Sequence, residues 1–289
     1  MSWVPFRVSL RTARYDAKCR SLRLFRGVAN RFTDPVTAKF LFVLCPAYCG
    51  SALMHEILCS SPFVSPNNIF GTREGESLPE VRQLIDYRAR WTESYEYPWA
   101  EIKRVWMKYW DRGKPLLLDK SPPNLIRTKM ITEHFSPVCF VAMVRDPYVH
   151  CEGYMRRDKL TSKQAAERTL QCLQHQRQNL EELKDIILIR YEDLVANPDE
   201  IKERLLHFLP VLHHVDVKKR FRAHNNSNEA YPITDMNIGK IENMTSSDVA
   251  IITDVLAPHE RLLHYFGYTL HPAGGPCDQF ARENVNRTS

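Results

Sequence analysis

Four short apolar runs punctuate the chain, at 40–45, 116–118, 138–144 and 186–189, each bounded by turn-forming residues. None alternates between apolar and polar positions, as a strand with one wet face would. They therefore read as strands buried on both faces, and hence as a parallel sheet. Between them apolar residues recur at helical spacing: Leu53, Ile57 and Leu58; Leu125, Met130 and Ile131; then Ala166, Leu170, Leu173, Leu180 and Leu183. Strand alternating with helix predicts a doubly wound α/β domain. After the fourth run, Asn197 reads as an N-cap with Pro198 at the first helical position and Glu200 closing a capping-box-like arrangement. A last helical region from Ser247 is interrupted at Pro258 and stops at Gly267, before a polar tail opened by Pro272, Gly274, Gly275 and Pro276. The expected division is a basic N-terminal arm over 1–37, one α/β domain over 38–268, and a tail over 269–289, with no internal repeat.

Composition narrows the class. At 289 residues, 44% hydrophobic and 26% charged, the chain is long enough and apolar enough to bury a core, which excludes collagen-like, coiled-coil and disordered readings. No apolar run approaches the roughly 18 residues of a membrane span, so a soluble, cytoplasmic protein is expected. The first 35 residues hold seven arginines and only two acids, Asp16 and Asp34. That bias fits a mitochondrial presequence, but also a basic arm, which is preferred because neither clean helical spacing nor a cleavage signal accompanies it. Eight scattered cysteines without a secretory signal predict reduced, mostly buried thiols, and Cys45 with Cys49 is too small a set for zinc. The net charge of +6 suits an anionic small ligand or nucleic acid; no nucleic-acid recognition module accompanies it, so nucleic acid is not expected.

Ligands in parallel sheets bind beyond the carboxyl ends of the strands, so the residues just after each run matter most. After the first comes Cys45-Pro46-Ala47-Tyr48-Cys49-Gly50-Ser51-Ala52. This is either a phosphate cradle at a helix start or an ordinary turn with Ser51 as N-cap. It lacks G-x-x-x-x-G-K-[ST], which disfavours an ordinary P-loop ATPase or GTPase. After the second stands Asp119-Lys120-Ser121-Pro122-Pro123-Asn124, where Lys120 reaches an anion or forms a surface pair with aspartate. After the third comes Arg145-Asp146-Pro147-Tyr148-Val149-His150-Cys151-Glu152-Gly153, followed by Arg156 and Arg157. Arg145 leaving a buried strand needs a partner, which an anionic ligand or Asp146 would supply. His150 beside Cys151 is no nucleophile pair, because adjacent residues on a helix do not face each other. After the fourth run come Arg190 and Tyr191, the ring packing on a base or on the next helix.

In order, these segments resemble the sulfotransferases that use 3′-phosphoadenosine 5′-phosphosulfate (PAPS), closest in style to the bacterial and tyrosylprotein-type branches. The likeness spans roughly residues 38–268. It implies a P-loop-NTPase-like three-layer fold, a central parallel sheet flanked by helices. It also implies PAPS as donor, no metal requirement, and a small-molecule, saccharide or peptide hydroxyl as acceptor, carbohydrate first. Carried over by position, Tyr48, Cys49, Gly50, Ser51 and Ala52 form the 5′-phosphosulfate loop, Arg145 takes the 3′-phosphate, Tyr191 lies by the adenosine, and Lys240 sits in a late basic lid segment. Two positions depart from the pattern. A Lys or Arg belongs two residues before the loop glycine, where this chain has Tyr48, and a serine belongs eight residues after Arg145, where it has Gly153. Lys120 or Lys240 would then supply the missing charge, and Arg156 or Arg157 the missing phosphate contact.

A base for the acceptor hydroxyl is expected on Gly71-Thr72-Arg73-Glu74-Gly75-Glu76-Ser77-Leu78-Pro79, an acidic glycine-containing loop. In tyrosylprotein-type relatives a glutamate precedes a proline by five residues, which selects Glu74 and leaves Glu76 in reserve. Two rivals stay open: a catalytically silent PAPS- or sulfoglycan-binding relative, which Tyr48 would suit, and a P-loop-like small-molecule kinase. The aromatic residues over 77–112 line an acceptor cleft or belong to the core.

Overall fold

The structure, a computed structural model, describes residues 10–33, 36–221 and 230–271. The first residues of the predicted arm, the tail from Pro272 onward and Cys277 lie outside the described residues. In chain order the elements are α1 (Leu10–Ala29), β1 (Lys39–Leu44), α2 (Ser51–Cys59), β2 (Val64–Pro66), α3 (Trp99–Trp106), β3 (Leu116–Asp119), α4 (Thr128–His134) and β4 (Val138–Val144). They continue with α5 (Pro147–Asp158), α6 (Ser162–Glu182), β5 (Ile186–Arg190), α7 (Tyr191–Ala196), α8 (Pro198–Phe208), α9 (Ser246–Leu256) and α10 (Glu260–Tyr265).

The strands form one sheet in the order β2-β3-β1-β4-β5, parallel at every pairing. Alternate residues of each strand feed opposite cores. Leu41 and Val43 join Ile57, Leu118, Val141 and Leu205 on one face, while Phe40, Phe42 and Leu44 join Trp99, Trp106, Trp110 and Phe135 on the other. Burial on both faces is why the runs are continuously apolar. The four expected strands are all present, in the P-loop-NTPase-like arrangement of a parallel sheet between helical layers. The fifth, β2, is three residues long and carries Ser65 and Pro66, so no apolar run announced it. Because β3 and β4 flank β1 on opposite sides, a crevice opens at the carboxyl end of β1.

Most of the aromatics over 77–112 are core: Tyr97, Trp99, Trp106, Tyr109 and Trp110 are all buried. Residues 10–29 of the basic segment form the helix α1, seated on the domain through Cys19, which is fully buried. Tyr15 and Leu22 pack against the same core, and polar contacts add to them: Arg26 pairs with Asp111 at 2.8 Å, Asp16 with Arg82, Arg23 with Glu80, and Asn30 Nδ2 donates to the Trp110 carbonyl at 3.0 Å. Apolar residues also stand on the outer face of α1, where Leu24, Phe25 and Val28 are exposed, so the inward stripe does not stand out in the sequence.

Asn197 and Pro198 do begin α8, but the Asn197 side chain makes no capping bond, so the expected box is not formed. Complete capping boxes stand instead at Thr161 with Gln164, before α6, and at Thr245 with Asp248, before α9. Of the described cysteines, all unpaired, only Cys59 is not fully buried. No helix among the described residues is long and apolar enough to cross a membrane.

Candidate active site

A cleft of about 460 Å³ opens at the carboxyl ends of β1, β3 and β4. Ala47, Tyr48, Gly50, Ser51 and Ala52 form one wall. Tyr48 and Gly50 both hold left-handed backbone, at φ 66° and 94°, which winds the chain tightly into α2. Glycine is required at 50 for a second reason: a Cβ there would lie 2.7 Å from the Tyr191 ring. Ser51 and Ala52 open α2, whose first N–H groups lack helical partners and whose first turn carries no acid, an arrangement suited to an anion. His150 braces the loop from α5, its Nε2 donating to the Ala47 carbonyl at 2.9 Å. Burial holds that imidazole well below the usual range, at about 3, so it is neutral there.

Arg145 leaves β4 and enters the same cleft. Its Nε donates to Asn237 Oδ1 and its Nη1 to the Tyr48 carbonyl, both at 2.7 Å, and the guanidinium sits 4.0 Å over the Tyr191 ring. Nη2 is buried with no hydrogen-bond partner among the described residues. Asp146 is not its partner; that carboxylate caps α5 by accepting from the Tyr148 and Val149 amides.

At the end of β3, Lys120 is buried rather than forming a surface pair with aspartate. Its Nζ donates to the Thr72 carbonyl at 2.7 Å and lies 3.4 Å from Glu74 Oε1, both on the acidic loop. The loop is pinned in turn by Asp119, whose carboxylate accepts from the Gly75 amide, Asn67, Ser121 and Asn124. The sequence predicted Asp119 as part of a motif; its work is to hold the carboxyl end of the strand and the acidic loop together.

Among the expected residues, Tyr48, Gly50, Ser51, Ala52, Glu74, Lys120, Arg145, Gly153 and Lys240 all line the cleft, as do Arg156 and Arg157. Three differ. Cys49 faces the core, its amide bonded to the Pro46 carbonyl at 3.3 Å. Tyr191 lies under the loop rather than on the cleft surface, its hydroxyl donating to the Thr234 carbonyl and accepting from the Met236 amide. Glu76 is buried beside Arg90 at 2.8 Å and Tyr97 at 3.3 Å and does not line the cleft. Burial pushes its carboxyl up to about 7, Glu74 and Asp119 adding to the rise while Arg90 opposes it. Sequence reasoning missed Arg90, Tyr87 and Met236, which line the cleft from irregular segments without periodicity.

A model of the sulfotransferase family matches residues 41–213, more than half of the chain. This chain belongs to the sulfotransferase family. Membership implies a sulfate donor and a hydroxyl-bearing acceptor. Sulfotransferase STF9 from Mycobacterium avium shares the fold, with a TM-score of 0.54 at 11% identity over 92% of this chain and 88% of that one. A sulfotransferase from Alicyclobacillus acidocaldarius aligns at TM-score 0.49 and 14% identity, covering 80% of this chain and 96% of that one. The sulfotransferase domain from the curacin biosynthetic pathway aligns at 0.48 and 18%, covering 82% and 100%. No curated protein matches the sequence significantly.

Gly153 and Tyr48 pack directly against one another. A Cβ on Gly153 would lie 2.7 Å from the Tyr48 Cβ and 3.0 Å from its Cγ, so a side chain at 153 and the tyrosine exclude each other. Gly153→Ala is therefore expected to lower stability by about 1–3 kcal/mol through overpacking, despite alanine's better helix propensity. Adding Tyr48→Gly, which removes the contacting Cβ and Cγ and suits the left-handed backbone at 48, should restore much of the loss. Thermal melts of the single and double variants measure the coupling, and strict additivity would refute it.

Proposed function

We propose that the protein transfers the sulfuryl group of PAPS to a hydroxyl acceptor, carbohydrate first, with Glu74 taking the hydroxyl proton. One observation carries the reading. Among the described residues, six cations (Arg90, Lys120, Arg145, Arg156, Arg157 and Lys240) line the cleft against two carboxylates, Glu74 and Glu152. Such a surplus fits a donor with phosphate on both sides of its ribose. The loop over 47–52 would hold the 5′-phosphosulfate, and Arg145 the 3′-phosphate through its unpartnered Nη2, with Arg156 or Arg157 in support.

The chemistry is an in-line displacement in which positioning and charge neutralisation do most of the work. The acceptor oxygen bonds to sulfur as the bond from sulfur to the bridging phosphate oxygen breaks. The hydroxyl proton passes to Glu74, and the electron pair departs on the bridging oxygen of adenosine 3′,5′-bisphosphate. Lys120 is buried in the cleft wall and takes the neutralising role for which Tyr48 has no charge. Its Nζ also lies 3.4 Å from Glu74 Oε1, which holds that carboxylate in the cleft wall.

Thermal shift tests the donor. At a hundredfold excess over its Kd, adenosine 3′,5′-bisphosphate should stabilise the protein by about 2.7 kcal/mol, roughly 5 °C or more in Tm. AMP and ADP at the same concentrations should do much less. Equal stabilisation by ADP would favour the kinase alternative, and donor binding without transfer of labelled sulfate to any acceptor would favour the silent relative.

A further inference from the structure

A second groove, about 420 Å³, runs between α1 and the acidic loop and meets the cleft at Thr72 and Tyr87, which line both. Its charge is distinctive. Two guanidinia, Arg11 and Arg82, line it, and among the described residues no carboxylate does. The acids of the adjoining loop are engaged elsewhere, Glu74 with Lys120 and Glu76 with Arg90. Arg11 is exposed. Arg82 pairs with Asp16, yet its Nε is buried without a hydrogen-bond partner among the described residues. Two phenol rings complete the surface: Tyr15, with the Arg82 guanidinium 5.7 Å from its ring, and Tyr87, 45% exposed and stacked on Arg90 at 4.0 Å. Hydroxyls of Thr72 and Ser77, 3.0 Å apart, lie along the loop side.

Resting on the sulfotransferase reading above, we propose that this groove is the acceptor site and that it takes an acidic saccharide. Guanidinia bind carboxylate or sulfate, phenol rings pack on the apolar faces of sugar rings, and loop hydroxyls match sugar hydroxyls. The acid group is held at Arg11 and Arg82, while the hydroxyl to be sulfated reaches Glu74 past Thr72, two residues away. The helix α1 is thus a specificity element of the enzyme, seated on the domain through Tyr15, Cys19, Leu22 and three ion pairs and carrying the acceptor-reading arginine near its start.

Calorimetry at low salt tests this on the full chain with three tetrasaccharide probes: a uronate-containing one, its carboxyl-reduced form, and a sulfated form of the reduced one. Binding of the first or third, at least tenfold tighter than of the reduced form, supports the proposal, and the probe that binds identifies the acid as carboxylate or sulfate. Arg11→Glu should weaken the bound probe at least tenfold and Arg11→Lys should recover most of it, with affinity for adenosine 3′,5′-bisphosphate unchanged in both. Equal binding of the reduced form, no binding of any probe, indifference to Arg11→Glu, or an acidic peptide binding as tightly would each overturn it. Failure of adenosine 3′,5′-bisphosphate to bind the wild type would reject the donor reading instead and leave the saccharide result standing.

Discussion

Glu74→Gln should abolish sulfuryl transfer, by roughly two to four orders of magnitude, while leaving affinity for adenosine 3′,5′-bisphosphate nearly intact. The amide keeps the size of the carboxylate and can still accept from Lys120 Nζ, so the wall of the cleft should not move. The backbone here is fixed independently of that side chain: the Glu74 carbonyl accepts from Asn68 Nδ2 at 2.7 Å, and the next amide, Gly75, donates to Asp119 at 3.0 Å. What the substitution removes is the capacity to take a proton. Transfer of labelled sulfate and calorimetric donor binding on the same preparation separate the two effects. Undiminished transfer would remove Glu74 from the chemistry and turn attention to Glu76, the other carboxyl of the loop, which burial pushes up to about 7.

The strands and the order of the motifs were legible because a sheet buried on both faces writes itself as unbroken apolar runs, and because strand ends are where chemistry gathers. Arg145, Lys120 and the loop over 47–52 could thus be assigned to one crevice before any geometry was known. Other features depended on contacts distant in sequence. Lys120 meets Glu74 across 46 positions, and Arg145 meets Tyr48 across 97, so neither partner follows from local pattern. The mutual exclusion of Tyr48 and Gly153 is of the same kind. α1 was hidden for a different reason: its inward Tyr15, Cys19 and Leu22 lie among many charged residues and beside the exposed Leu24, Phe25 and Val28, so no clean apolar stripe stands out.

Arg145→Ala should weaken adenosine 3′,5′-bisphosphate roughly ten- to a hundredfold, since hydrogen bonds to charged groups contribute about 1.5–3 kcal/mol each. The substitution also releases the Tyr48 carbonyl and Asn237, and it uncovers the Tyr191 ring, so the binding loss by itself would not distinguish a phosphate contact from a loosened loop. AMP makes the distinction, because it lacks the 3′-phosphate yet needs the same loop for its 5′-phosphate. If Arg145 touches the 3′-phosphate, the variant should lose most of the preference for the bisphosphate while AMP binding changes little. A loosened loop would instead weaken both ligands in proportion. Arg145→Lys sharpens the comparison: it keeps the charge but cannot bond Asn237, Tyr48 and a phosphate together through a planar fork, so it should recover only part of the affinity. Calorimetric titration of both ligands into the three proteins gives the result directly, and a parallel loss for AMP and the bisphosphate would assign Arg145 to the scaffold of the loop rather than to the donor.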